Sequence, residues 1–255
     1  MINKKSIFCY SALAICPQPG LQPPCMTFDV EQSDIETHIR DVEKSFCFKK
    51  GESHMAKLVF RYGAMGASKS ASALMVRFNY LERGMHPVLL KPACEDRDGE
   101  MILRSRIGLE AKVDDTVEHF LAQALGSHRD KSYDSIDAVI VDEAQFLDTG
   151  SVNGLALLVD RFDVPVICYG LRTDFQGDFF SGSKRLMELA DEIEEIPTIC
   201  WCGKKARFNA RVVDGRVVCC GDKIVLGGND MYVALCRKHF MLRDLGPDWK
   251  DWKQD

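Results

Sequence analysis

The sequence lacks any apolar run near the roughly 20 residues that a membrane-spanning helix needs, so a helical membrane protein is excluded. It also lacks an excess of positive charge: 33 Lys and Arg face 38 Asp and Glu, a formal net charge of −5. That balance argues against a protein that coats nucleic acid, whose phosphates call for a positive field. Aromatic residues make up only 9% of the chain, and no stripe of aromatic and basic residues runs along it. A stacking platform for single strands is therefore not indicated. No internal repeat or long low-complexity segment is present. The 46% of hydrophobic residues rule out a mainly disordered chain, and 255 residues suffice for one large domain or a domain plus a small module.

Proline is scarce, and four of the nine (Pro17, Pro19, Pro23 and Pro24) fall within residues 1–54. That segment begins MINKKSIFCYSALAIC, two Lys followed by a short apolar run, but no A-x-A cleavage site follows the run. Ser33 and Glu36 have the spacing of a capping box, and Ile35, Ile39, Val42 and Phe46 recur at helical period, so the pattern predicts a helix over 33–46. No chemistry-bearing motif lies in this extension. Cysteine, by contrast, is abundant. Of eleven, five fall late in the chain: Cys200, Cys202, Cys219, Cys220 and Cys236. An odd number clustered in this way fits a metal site in a reducing compartment better than a disulfide framework.

From Met55 the pattern becomes a succession of α/β units. Strands are predicted at 57–62 (KLVFRY), 86–92 (HPVLLKP), 137–142 (DAVIVD) and 165–170 (PVICYG), with helices over 69–83, 151–161 and 181–190. Apolar strands separated by helices imply a parallel sheet covered on both faces. Past Pro197 the pattern changes to short segments with Cys pairs, Gly-Gly and basic residues, and a domain boundary is expected near 197–199.

The first strand runs into GAMGASKS, then a helix, which is the context of a phosphate-binding loop. Gly63 and Lys69-Ser70 match the ends of G-x-x-x-x-G-K-[ST], with Ala64, Met65, Gly66, Ala67 and Ser68 between them. Backbone N–H groups of such a loop cradle phosphates, the Lys reaches the β- and γ-phosphates, and the Ser holds Mg²⁺. Ser68 stands where the pattern has Gly. The strand AVIVD ends in Asp142-Glu143, as a Walker B strand does, which would place Asp142 opposite Ser70 at the metal. Cys200-x-Cys202 and Cys236-x-x-His239 offer four ligands from two short turns, the set for a closed structural Zn²⁺ site, with Cys219 and Cys220 as competing thiols.

Several segments in order (MAKLVFRYGAMGASKS, KPACEDRDGE, SRIG, VDEAQFL, CYGLRTDFQGDFFSGS, ICWCGKKA and GGNDMYVALCRKHF) resemble the type II thymidine kinases, over about residues 55–242. The resemblance implies a RecA-like P-loop NTPase sheet at 55–198, a zinc-binding lasso module at 199–245, and a tail at 246–255. It implies ATP-dependent phosphorylation of thymidine, and of deoxyuridine, with Mg²⁺. Glu143 would be the proton acceptor, and Asp142, Glu143, Ala144 and Gln145 a second nucleotide-contacting segment. Arg97 would meet phosphate, with Glu95 where relatives usually have Asp. Phe180 would lie against the thymine ring. Lys223, Ile224, Val225, Leu226 and Gly227, with Tyr232, would form the lasso around the nucleoside. The same resemblance implies a cytoplasmic homotetramer inhibited by thymidine triphosphate, with no nucleic-acid or membrane partner. Two rivals remain open at this stage: a nucleotide-binding homologue impaired by Ser68, and a nucleic-acid-linked ATPase with a zinc ribbon.

Overall fold

The computed structural model describes residues 56–94, 101–126, 135–219, 221 and 231–247. The helix expected over 33–46 lies outside these residues. Six parallel strands form the main sheet: β1 (Leu58–Tyr62), β2 (Pro87–Lys91), β5 (Asp115–Thr116), β6 (Ala138–Val141), β7 (Val166–Gly170) and β8 (Glu192–Glu195), in the order β5-β2-β6-β7-β1-β8. Between β2 and β5, β3 (Ile102–Arg104) and β4 (Glu110–Lys112) form an antiparallel hairpin.

Alternation within the strands decides which helix covers which face. Leu89, Ile140 and Tyr169 point to one face, where Ala73 and Leu74 of α1 (Lys69–Leu81) and Leu103 of the hairpin pack. Leu58, Phe60, Leu90, Val139, Val141 and Cys168 point to the other. There they meet Phe120 of α2 (Val117–Ala124), Leu155 of α3 (Thr149–Phe162) and Leu186 of α4 (Ser181–Leu189). Two capping bonds set helix starts that the apolar periodicity alone does not reveal: Thr116 Oγ1 accepts from His119 N–H at 3.3 Å, and Asp148 Oδ1 accepts from Ser151 N–H at 2.6 Å. The second explains why α3 begins at Thr149, two residues before its predicted start.

A second, smaller core follows. β9 (Thr198–Ile199) pairs with β10 (Lys205–Ala206), and β11 (Phe208–Val213) is flanked by β12 (Arg216–Val218) and β13 (Met231–Leu235). The short α5 (Arg237–Leu242) closes this unit, and Ala210, Val212, Val233 and Leu235 are its buried aliphatics. No helix among the described residues is long and apolar enough to cross a membrane.

Candidate active site

The phosphate loop leaves β1 at Gly63, where only glycine fits. A Cβ there would stand 2.5 Å from the Ile196 carbonyl oxygen and 2.8 Å from Ala67 Cβ. The loop is held from outside as well as within: Gly63 N–H donates to Gly170 O at 3.2 Å, and Met65 N–H donates to Asn209 Oδ1, on β11, at 2.7 Å. Lys69 begins α1 and its ammonium reaches back over the loop to the carbonyls of Ala64 and Gly63, at 3.1 and 3.3 Å.

Ser68, the residue in place of the expected glycine, has φ 57° and ψ 32°. This is the left-handed region, which costs an L-residue with a Cβ about 1–2 kcal/mol. Its side chain is exposed and makes no capping bond to α1, so the hydroxyl does not offset the strain.

Opposite the loop, β6 ends at Asp142, whose carboxylate is 1% exposed and accepts from Ser70 Oγ at 2.6 Å. Burial pushes the Asp142 carboxyl up to about 7, the neighbouring Glu143 charge pushes the same way, and the Ser70 hydroxyl pulls it back. Glu143 turns sharply away from the strand with φ 51° and ψ 33°, and a 3₁₀ turn (Ala144–Phe146) follows it. That turn buries Ala144 and Gln145 beneath the surface. The Gln145 amide bonds Glu143 and the Leu171 backbone.

Lys69, Ser70, Asp142 and Glu143 all line one cavity of about 480 Å³ at the carboxyl edge of the sheet, where open α/β folds bind ligands. Lys91, from the end of β2, adds a largely buried cation. The β3–β4 hairpin supplies a further wall, including Arg104 and Arg106. Sequence reasoning noticed SRIG only as a matching string and gave the hairpin no role. Its strands are three residues each, too short for a periodicity signal. Glu95 and Arg97 lie outside the described residues.

Phe180 immediately precedes α4 and packs edge-on against Phe146, with ring centroids 5.7 Å apart at 80°. Phe146 was not singled out from sequence, since an aromatic after a strand-end turn reads as core. Tyr232 lies on β13 opposite Arg211 of β11, half-buried. Lys223 through Gly227 lie outside the described residues.

Cys200, Cys202, Cys236 and His239 come together with their donor atoms all within 4.8 Å of one another. Cys200 Sγ is 3.4 Å from His239 Nδ1 and Cys202 Sγ is 3.9 Å from Cys236 Sγ. Tetrahedral thiolates at the Zn–S distance of about 2.3 Å stand about 3.8 Å apart, so the donors fit such an ion closely. Backbone N–H groups at the start of α5, His239 first, hold the Cys236 thiol below its ordinary range, whereas burial raises Cys200. Trp201 stacks on the His239 ring, centroids 4.2 Å apart, and fixes its plane. Cys219 is exposed and stands outside the cluster, while Cys220 is not among the described residues.

The family model "Thymidine kinase" matches residues 56–240. The chain belongs to the thymidine kinase family. It is 43% identical over 189 residues to a thymidine kinase of Shewanella oneidensis, a match spanning 73% of this chain and 97% of that protein. Those of Coxiella burnetii and Novosphingobium aromaticivorans are each 46% identical over 189 residues, spanning 74% and 73% of this chain and 96% and 97% of theirs. Superposition on AMPPCP-bound DnaA from Aquifex aeolicus gives a TM-score of 0.33 at 14% identity, over 66% of this chain and 48% of that one, too slight a likeness to bear on function.

The buried Asp142 has a consequence for this thymidine kinase family member without metal. Unfolded, its carboxyl titrates near 3.8; folded, near 7. Between about pH 4 and 7 the native state therefore holds a proton that the unfolded chain has lost, and stability falls as pH rises through that window. In the metal-free protein, the drop in melting temperature from about pH 5 to about pH 8 is expected to shrink in Asp142→Asn. Identical pH dependence in the two proteins would count against a buried, proton-retaining Asp142.

Proposed function

We propose that the protein transfers the γ-phosphoryl group of ATP to the 5′-hydroxyl of thymidine, and of deoxyuridine, leaving ADP and the 5′-monophosphate. The observation that carries this reading is the convergence of Lys69, Ser70, Asp142 and Glu143 on one cavity in a chain of this family. The order of strands supports a RecA-like sheet, since β7 separates the strand of the phosphate loop from the strand of Asp142.

In this reading, the backbone of Gly63 to Ser68 and the ammonium of Lys69 hold the triphosphate, and Ser70 and Asp142 would hold Mg²⁺. The ion, when bound with ATP, neutralises charge on the β- and γ-phosphates. Glu143 accepts the proton of the 5′-hydroxyl as its oxygen attacks the γ-phosphorus, and ADP leaves from the opposite side. The Phe146–Phe180 pair gives a flat apolar wall for the thymine ring. By the resemblance, Tyr232 and the residues Lys223 to Gly227 would contact the nucleoside, and Glu95 and Arg97 the phosphates. A homologue without catalysis is not favoured, because Ser68 disturbs one backbone position and leaves the other functional side chains in place.

The domain limits follow the same reading: a kinase domain at 55–198, a zinc-binding lasso module at 199–245, and an extension and a tail outside them. The four-donor cluster holds a structural Zn²⁺, since four protein ligands leave no open position for a reactant. Met75, Phe78 and Leu81 stand 59%, 59% and 48% exposed along α1, an apolar stripe suited to another copy of the chain, and the family resemblance is what points to a homotetramer. Feedback by thymidine triphosphate and residence in the cytoplasm complete the proposal.

Three measurements test these assignments. Glu143→Gln is expected to lower kcat by roughly 10²-fold or more while ATP still binds, the scale of a lost general base; turnover near that of the wild type would remove Glu143 from the role. Ser68→Gly is expected to raise the melting temperature, since the left-handed backbone costs Ser about 1–2 kcal/mol with or without nucleotide, and to leave the ATP KM within about twofold. An unchanged melting temperature would mean the backbone at Ser68 carries no strain. Elemental analysis should find about one Zn²⁺ per chain, lost in Cys202→Ser with early melting of the module; a metal-free protein of full activity and stability would rule the site out.

A further inference from the structure

Gln145 is 1% exposed, two residues beyond Glu143, and its amide is bonded at both ends. Leu171 N–H donates to Oε1 at 2.9 Å, and Nε2 donates to a carboxylate oxygen of Glu143. The chemistry of the partners fixes this orientation. A backbone N–H can only donate, so the amide oxygen must face Leu171; the NH₂ end is left to Glu143, whose ionised carboxylate can only accept.

The surrounding backbone is shaped to admit this side chain. A Cβ on Gly170 would stand 2.9 Å from Gln145 Oε1 and 3.1 Å from its backbone nitrogen. A Cβ on Gly182 would come within 2.5 Å of the Ala144 carbonyl oxygen and 2.7 Å of that of Leu147. Two glycines from separate elements thus clear the space in which the turn after β6 lies. Phe146 N–H donates to Glu143 O at 3.1 Å, which anchors the Glu143 backbone, while its side-chain torsions are set by side-chain contacts, Gln145 among them. Gln145 reaches from the carboxylate of Glu143 to Leu171, the residue that follows β7, and Glu143 and Leu171 line the same cavity.

We propose that Gln145 is a positioning residue for phosphoryl transfer, holding the Glu143 carboxylate against the end of β7 so that its second oxygen faces the incoming hydroxyl. The inference rests on the reading of Glu143 as the base. Gln145 is buried and is not among the residues that line the cavity. Its role is to remove rotamer freedom from the base before the substrate arrives, and a base displaced by about 1 Å loses up to 10²-fold in rate.

A double-mutant cycle in the full chain tests this. Gln145→Met fills the same volume and loses both hydrogen bonds. Gln145→Asn keeps an amide but is one methylene too short to span both partners. Each is expected to lower kcat for thymidine by about 10- to 100-fold, with the ATP KM within about twofold of the wild type. In a Glu143→Gln background the same changes are expected to cost less than about twofold more, because there is no base left to position. Unchanged kcat in either folded variant overturns the proposal, and so does an equal loss in both backgrounds, which would mark Gln145 as merely structural. If Glu143→Gln alone keeps full turnover, the base reading fails first, and that single variant shows it without reference to Gln145.

Discussion

A carboxylate buried at the carboxyl edge of a parallel sheet is the constraint around which this site is built. Asp142 is 1% exposed, and a charge in that position is costly unless a cation or a donor faces it. The protein itself supplies neutral donors, the Ser70 hydroxyl at 2.6 Å and the Glu143 backbone N–H. The Ser70 bond joins the start of α1 to the end of β6. Burial outweighs those donors and leaves the carboxyl raised. The cavity's cations, Lys69 and Lys91 with Arg104 and Arg106, suit a ligand that carries phosphates.

Two residues with side chains are forced into left-handed backbone at this edge, Ser68 before α1 and Glu143 after β6. They are strained for different reasons. At Glu143 the conformation turns the chain off the strand and lets the next residues bury a 3₁₀ turn, and the strain is held by the hydrogen bonds of that turn and by Gln145. At Ser68 the exposed side chain returns nothing for its unfavourable backbone. The same physical penalty is therefore functional in one place and a tolerated replacement in the other.

Much of this was legible in the sequence because long apolar strands and motif spacing are local signals. LVFRY, PVLLK, AVIV and VICYG all lie within predicted strands, and helices were expected at α1, α3 and α4. The four metal-ligand candidates were visible as two short turns. The missed elements carry weak local signals. β8 is EIEE, an acidic run whose strand form depends on pairing with β1 and on Lys57 and Arg61 meeting Glu192 and Glu194. β5 is two residues long, and α2 only eight. The role of the hairpin wall and the clamp made by Gln145 depend on which chain segments meet in space, and no spacing rule encodes that.

The last such meeting joins the two cores. Asn209 is 3% exposed on β11, in the sheet that the metal-ligand cluster closes, yet its carbonyl accepts the N–H of Met65 in the phosphate loop at 2.7 Å. β11 pairs with β13, which runs directly to Cys236 and His239, and with β12 on its other side. The small core holds only a handful of buried aliphatics, so the position of β11 depends heavily on the ligand cluster at its end. A metal held there would reach beyond its own module: by fixing β13 it would fix β11, and through Asn209 one backbone N–H of the loop over 63–70. The geometry at one end of the cavity is thereby tied to the integrity of the smaller core.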